Sequence, residues 1–360
     1  MKALVLREYG RLVIDEVPVP AIGPADVLVR VMACGICGSD VHGMDGSSGR
    51  RKPPIIMGHE AAGVVAKAGS DVRGWKEGDR VTFDSTIPCG ACSFCRDGHP
   101  NLCEKLQVPG VSCDEYKRDG AFAEFVAVPA RVLHRLPENL DFSRAALAEP
   151  VSIAAHAAGR IAAVAGNVAP GSAEGGAGGS GVVVGTGMVG LLVVQVLKRL
   201  GHRPVIAVDT DKGRLDLATK LGADAAFDPG ACDVRAEVML LTGGRGADAA
   251  LEVVGIAPAV NTAIGVLRKG GILVLVGNLS PRVDVPLQRI VTRELVMAGS
   301  YMTCGEYPAA LEMIASRAID VDSLISARAP LADGPAWFKR MYDREPGLLK
   351  VVLLPQGAAA

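Results

Sequence analysis

Gly181-Val-Val-Val-Gly185-Thr-Gly187-Met-Val-Gly190 is the stretch on which the reading of this chain turns. Gly181 to Val184 is a short apolar run rich in β-branched residues, and it reads as a strand. The stretch from Met188 to Leu200 is apolar on nearly all sides. It closes with Lys198, Arg199 and Gly201, the charges and glycine expected at a helix C-terminus. Val205 to Val208 reads as the next strand, and Asp209 stands at its end. A GxGxxG alone is a weak signal. Strand, glycine turn, helix, strand and acid in that order fit the dinucleotide fingerprint. Gly185 permits the tight turn, Gly187 lets backbone approach a pyrophosphate, and Gly190 lets helix and strand pack closely. The helix N-terminus favours the phosphate charge. Asp209 can accept from both ribose hydroxyls of NAD and would repel a 2′-phosphate. Asp211 adds to that repulsion, while Lys212 and Arg214 keep NADP as the minor alternative.

The alternation continues downstream. Asp211 to Leu221, ending at Gly222, reads as a helix. Asp248 to Val253 reads as a strand, and a helix follows near Pro258 to Leu267. Gly271 to Gly277 is a fully apolar strand of the kind buried in parallel sheets. The fold class expected here is α/β with a doubly wound parallel sheet. Immediately upstream, the glycine-rich stretch from Gly171 to Gly181 reads as a disordered surface loop. Beyond residue 295 the pattern looks mixed again, with the apolar stretches Leu295 to Gly299 and Leu348 to Leu354 on either side of a helix near Tyr307 to Arg317. This C-terminal part is expected to pack back on the first domain.

The first 150 residues have a different texture. Val27 to Met32, Ala61 to Lys67, Arg80 to Asp84 and Phe122 to Val128 read as short strands between Gly and Pro turns. A mostly β domain is expected, with its working groups on loops. Cys89, Cys92, Cys95 and Cys103 fall within fifteen residues, and Gly90, Gly98 and Pro100 supply turns between them. Four thiolates at this spacing can close a tetrahedron around one zinc, leaving no place for substrate, so this site is structural.

A second constellation is sparser. It comprises Gly35-Ile-Cys37-Gly-Ser39-Asp40-Val-His42, then Gly58-His59-Glu60, then Ala148-Glu149-Pro150. Cys37, His59 and a carboxylate would give zinc three mixed protein ligands and one open position, the pattern of a catalytic site. Either Glu60 or Glu149 could be the third ligand, or the two could exchange. Asp40 is a plausible partner for the His59 ring. Ser39 and His42 could pass a proton from the site to water. A redox pair of Cys34 with Cys37 is disfavoured, since no thioredoxin-like βαβ surrounds them. His99, His134, His156 and His202 read as satisfied polar residues, and Cys113, Cys232 and Cys304 as small buried apolar ones.

The chain has 360 residues, 49% hydrophobic and 21% charged, with 38 basic and 39 acidic side chains and a net charge of −1. About 150 residues per domain suggests two domains. The balanced charge argues against a nucleic-acid partner. Arg7 and Glu8 interrupt the N-terminal apolar stretch, so no secretory signal is expected. The longest apolar run, Gly181 to Leu197, holds Thr186, Gln195 and several glycines and reads as strand, turn and buried helix, so no membrane span is expected. Crowded cysteines without a signal point to metal and a reducing, cytoplasmic compartment.

In their order along the chain, Gly35–His42, Gly58-His59-Glu60, the four-cysteine lobe, Glu149-Pro150-Val151-Ser152 and the 185–190 turn resemble the zinc-dependent medium-chain dehydrogenases/reductases. The closest resemblance is to their polyol branch (sorbitol, galactitol and threonine dehydrogenase relatives). The resemblance implies a GroES-like catalytic domain at 1–154 with the zinc lobe at 86–106, a Rossmann NAD-binding domain at 155–294 and a C-terminal return at 295–360. It also implies a homo-oligomer, dimer or tetramer. Two zinc ions per chain follow from it. Cys37, His59 and Glu60 would hold the catalytic ion, with Glu149 beside it as ligand or through bound water. Cys89, Cys92, Cys95 and Cys103 would hold the structural one. Ser39 and His42 would form the proton relay. Coenzyme contacts are expected from Gly185, Gly187, Met188, Val189, Gly190, Asp209, Arg214 and Gly277. The activity implied is oxidation of a secondary alcohol, a polyol before the alternatives of threonine, a simple alcohol, a sugar acid or a sugar phosphate. Two residues depart from the sorbitol pattern: Gly43 stands where tyrosine is usual, and Met302 where an arginine is expected.

Overall fold

The computed structural model describes residues 1–166 and 178–357. The chain forms two compact units. One comprises Met1–Glu149, Thr303–Arg317 and the chain from Val321 onward; the other comprises Pro150–Met302 with Ala318–Asp320. The glycine-rich stretch 171–181 lies for the most part outside the described residues.

In the second unit, six parallel strands lie in the order Ala225–Phe227, Val205–Val208, Gly181–Val184, Ala247–Glu252, Leu267–Leu275, Val296–Gly299. Chain order runs outward in both directions from the first strand, Gly181–Val184. That strand is therefore the switch point, and its C-terminal end is where an open α/β sheet takes its ligand. Valine and isoleucine fill the central strands because both faces are covered; every residue of Gly181–Val184 and Val205–Val208 is buried. The turn after the switch strand is tight. Gly185 has φ +93°, and a Cβ at Gly190 would lie 1.9 Å from the Gly185 carbonyl oxygen. Only glycine lets the helix Met188–Arg199 start that close to the strand.

The first unit carries a seven-stranded, mainly antiparallel sheet. Its main path is Leu133–Arg135, Arg80–Phe83, Glu60–Ala68, Asp26–Gly35, Lys350–Leu354, Ile325–Pro330, and Phe125–Pro129 also pairs with Asp26–Gly35. Lys2–Glu8, Arg11–Glu16 and Ile55–Ile56 form a smaller sheet. One corner of the large sheet matters most. Gly35 is in register with Glu60 on one side and with Val352 on the other. That single alignment puts three otherwise distant pieces of chain together: Cys37 just past Gly35, His59 just before Glu60, and Lys350 just before Val352. A side chain at position 35 would have no room, because its Cβ would sit 2.3 Å from Glu60 Oε2.

An 18-residue helix, Ala148–Ala165, connects the two units in sequence. It opens on Glu149-Pro150, where proline at the first turn forfeits no hydrogen bond. Its alanine-rich sequence lacks a sharp polar stripe, which is why periodicity does not announce it.

Candidate metal and coenzyme sites

Four sulfurs converge at the lobe. The ligand atoms of Cys89, Cys92, Cys95 and Cys103 all lie within 4.8 Å of one another. The turns aim backbone N–H groups at the sulfurs: Ala91 and Cys92 donate to Cys89 Sγ at 3.4 Å, and Cys89 donates to Cys103 Sγ at 3.1 Å. These amides draw the Cys89 thiol down to about 6. Desolvation and the adjacent Cys92 sulfur push the Cys95 thiol up to about 12. Four such groups cannot all ionise side by side without a cation, so the donor set fits a structural zinc.

At the sheet corner, Cys37, His59 and Glu60 bring one ligand atom each within a mutual 4.8 Å. His59 and Glu60 are buried, and Cys37 is half-buried at the N-cap of the short helix Gly38–Gly43. His59 Nδ1 faces Asp40 Oδ1 at 3.6 Å and has no hydrogen-bond partner. The other ring nitrogen, Nε2, is then the natural donor to a metal. Burial lowers the His59 pKa, yet Asp40 and Cys37 hold it well above its ordinary value. A buried acid-rich pocket that would otherwise gather a proton is chemically suited to a dication.

Glu149 stands apart from this trio. It is buried and accepts from Ser85 Oγ at 3.2 Å. Glu60 is in the trio, but both its oxygens also accept from Lys350 Nζ, at 2.8 and 2.6 Å. Lys350 is 2% exposed and donates to the Ile36 carbonyl as well. Sequence reasoning missed Lys350. The only local sign was a lysine opening the apolar run Lys350-Val-Val-Leu-Leu354.

Arg51 was missed too. It is buried, and its Nη2 lies 3.0 Å from Asp40 Oδ1 and 3.4 Å from Ser39 Oγ. A Cβ at Gly43 would fall 2.3 Å from Arg51 Cγ. Glycine in place of tyrosine at 43 therefore makes room for the Arg51 side chain, not for a larger ligand. Burial works against the charge on Asp40, but His59 and Arg51 bring its carboxyl down to about 2. Ser39 and His42 lie three residues apart on the helix Gly38–Gly43, on the same face.

Asp84 follows the strand Arg80–Phe83. It accepts from the Thr86 amide at 2.7 Å and from Thr303 Oγ1 at 3.0 Å. Burial nevertheless raises its pKa to about 6 from 3.8. A raised carboxyl pKa means the folded state disfavours the charged form. Asp84 therefore costs stability as pH climbs through the interval from 3.8 to about 6, by up to about 3 kcal/mol above it. Asp84→Asn should remove that part of the pH dependence. Thermal unfolding at pH 4 and pH 7.5 checks it: the variant should gain on wild type at the higher pH only, and parallel profiles would contradict the assignment.

Three cysteines need correction. Cys113, Cys232 and Cys304 are half-buried, not core residues. Each sulfur faces a carbonyl instead, of Tyr116, Asp228 and Gly98 respectively. His202 is satisfied by the Gly179 carbonyl at 2.8 Å, and His134 stacks on Tyr307.

In the second unit, Gly185, Gly187, Met188, Val189 and Gly190 form the turn and first helical residues beyond the switch strand. A Cβ at Gly187 would meet nothing within 4 Å, so the space a pyrophosphate needs is open. Asp209 follows the neighbouring strand, and Gly277 follows the strand Leu267–Leu275. Arg214 lies 3.8 Å from Asp211, which caps the next helix. The residues present fit a dinucleotide.

A family model of the alcohol dehydrogenase GroES-like domain matches residues 23–138, and one of zinc-binding dehydrogenase matches residues 188–316. D-xylulose reductase A of Aspergillus oryzae is 36% identical over 93% of this chain and 92% of its own length. The solved structure of a zinc-binding dehydrogenase from Sinorhizobium meliloti bound to NADP superposes with a TM-score of 0.85 and 33% identity, over 98% of this chain and 99% of that one. Galactitol-1-phosphate dehydrogenase from Escherichia coli gives a TM-score of 0.88 and 27% identity, over 99% of this chain and 100% of that one.

Proposed function

Because this chain belongs to the zinc-dependent medium-chain dehydrogenases/reductases, in their polyol branch, we propose that it oxidises an uncharged polyol at a secondary carbinol to the ketone, and reduces the ketone in reverse. The convergence of Cys37, His59 and Glu60 at one sheet corner carries this reading. Zinc, when bound, supplies Lewis acidity toward the alcohol oxygen, and NAD supplies the hydride acceptor.

The chain's own residues do the rest. Cys37, His59 and a carboxylate hold the metal, with Glu60 placed for it and Glu149 in reserve. Asp40 orients the His59 ring. The alcohol proton passes to Ser39 and then to His42, which is half-exposed and can release it to water. Cys89, Cys92, Cys95 and Cys103 hold the second zinc and pin the lobe. Asp209 reads the ribose and selects NAD.

Electrostatics favours an uncharged substrate. The two buried cations near the trio are both taken, Lys350 by Glu60 and Arg51 by Asp40. Glu149 and Asp84 have carboxyl pKa values raised mainly by burial, to about 7 and about 6. Apart from the metal itself, a phosphate or carboxylate on the substrate would meet Glu149 and Asp84 there, with both buried cations among the described residues near the trio already paired. A ketose of the kind named by the Aspergillus relative fits better than a sugar phosphate. The nine free cysteines suit the cytoplasm, and we place a homo-oligomer there. No helix among the described residues is long and apolar enough to cross a membrane.

Initial rates of NAD reduction over a panel of xylitol, sorbitol, galactitol 1-phosphate, gluconate, threonine and ethanol test the proposal, with zinc counted in the same sample. The expected result is highest kcat/KM on a free polyol and two zinc per chain. Fastest turnover on a phosphorylated or acidic substrate would overturn the substrate class.

A further inference from the structure

The acid expected to read the coenzyme ribose is not a free side chain waiting for its ligand. Asp209 Oδ2 accepts two hydrogen bonds from one residue, the amide of Thr186 at 2.6 Å and its hydroxyl at 3.0 Å. Asp209 Oδ1 accepts from the Asp211 amide at 3.0 Å. Thr186 is itself fully buried, inside the glycine turn between Gly185 and Gly187. The turn that approaches the pyrophosphate and the acid that approaches the ribose are therefore one hydrogen-bonded piece. Any residue except proline at 186 would offer the amide. Only serine or threonine adds the hydroxyl, and the turn motif leaves this position open to any type.

We propose that the Thr186 hydroxyl is a specificity-determining element that locks the Asp209 carboxylate and thereby enforces NAD over NADP. The inference rests on the NAD reading above and deepens it. Two consequences follow from a locked carboxylate. The ribose diol meets an acceptor whose rotamer is already chosen, so less ordering is needed on binding. A 2′-phosphate meets a negative charge that cannot swing aside, and discrimination depends on that refusal. One basic residue that could offset the repulsion is partly engaged elsewhere. Arg214 is drawn to Asp211 at 3.8 Å, and Asp211 itself caps the helix Lys212–Lys220.

The test is equilibrium binding of NAD and NADP to the zinc-loaded protein by isothermal titration calorimetry, without substrate or turnover. Thr186→Val keeps the shape and removes the hydroxyl. The ratio of the NADP to the NAD dissociation constant should fall about tenfold, as loss of one hydrogen bond to a charged group predicts. Thr186→Ser should retain the wild-type ratio. Should the valine variant fold poorly, Thr186→Ala makes the same comparison, with thermal unfolding recorded alongside. A Thr186→Val ratio equal to wild type, while Asp209→Ala collapses it, overturns the lock and leaves the NAD reading standing. A ratio unmoved by Asp209→Ala, or a wild type that prefers NADP, removes the NAD reading itself.

Discussion

Cys37→Ala should lose about a thousandfold or more in kcat, retain one zinc per chain and bind NAD as wild type does. The magnitude follows from Lewis-acid stabilisation worth several kcal/mol, at about 1.4 kcal/mol per factor of ten. Cys37 is the sole thiolate of its trio, and Glu60 is already engaged on both oxygens by Lys350. Without the thiolate, His59 is left with Glu60, which Lys350 also holds, and with Glu149, which lies outside the trio and accepts from Ser85, a weak set for a stable site. NAD binding should survive because the glycine turn and Asp209 belong to the other compact unit. Steady-state rates, zinc by atomic absorption and coenzyme titration on one preparation check all three statements. Normal turnover, or two zinc retained, would remove Cys37 from the metal site. Loss of NAD binding together with activity would point to a folding defect instead.

What the sequence disclosed and what it hid divide along one physical line. The dinucleotide turn was legible because its causes are local. Three glycines, a buried helix and a strand-end acid lie within about thirty residues, and each has a local reason within that stretch. The four-cysteine lobe was legible for the same reason. The trio of Cys37, His59 and Glu60 falls within a similarly short interval, and Gly58, at φ +97°, marks the special backbone beside His59, but its convergence rests on the pairing of Gly35 with Glu60 across two strands. Lys350 is different. It meets Glu60 across 290 residues, through a pairing of the strands Asp26–Gly35 and Lys350–Leu354 that no local pattern specifies. Arg51 and Gly43 illustrate a second limit. The glycine stood out as a departure from pattern, but its meaning lay in a neighbour eight positions on, whose side chain fills the missing volume. The helix Ala148–Ala165 escaped because alanine faces of low contrast leave no stripe to read. Which of Glu60 and Glu149 lies with Cys37 and His59 depends on sheet register, which a sequence expresses only through the folded partner.

Lys350→Met should be the most destabilising single substitution near the site. Both side chains of the pair are essentially sealed from water, at 2% and 1% exposure, and Lys350 Nζ contacts both Glu60 oxygens. Whether such a pair is itself stabilising is a separate question, since desolvating both charges consumes most of the attraction. Removing one partner has no such ambiguity. It leaves a buried carboxylate without its cation and the Ile36 carbonyl without its donor, at a cost of about 3–5 kcal/mol. For a unit of about 200 residues that corresponds to a fall of about 10 °C in Tm. Methionine matches the stem of lysine, so little of the loss can be assigned to a cavity. Asp40 and Arg51 do not relieve the strain, because they satisfy each other on the far side of His59. Adding Glu60→Leu to Lys350→Met should recover much of the stability while abolishing activity, since the double variant buries no lone charge. Thermal and denaturant unfolding of wild type, both singles and the double complete the cycle. Additive losses, with no recovery in the double variant, would mean that Lys350 acts through packing and that Glu60 finds its counter-charge elsewhere. A large coupling would establish that the carboxylate of the metal trio is held ready by a lysine from the far end of the chain.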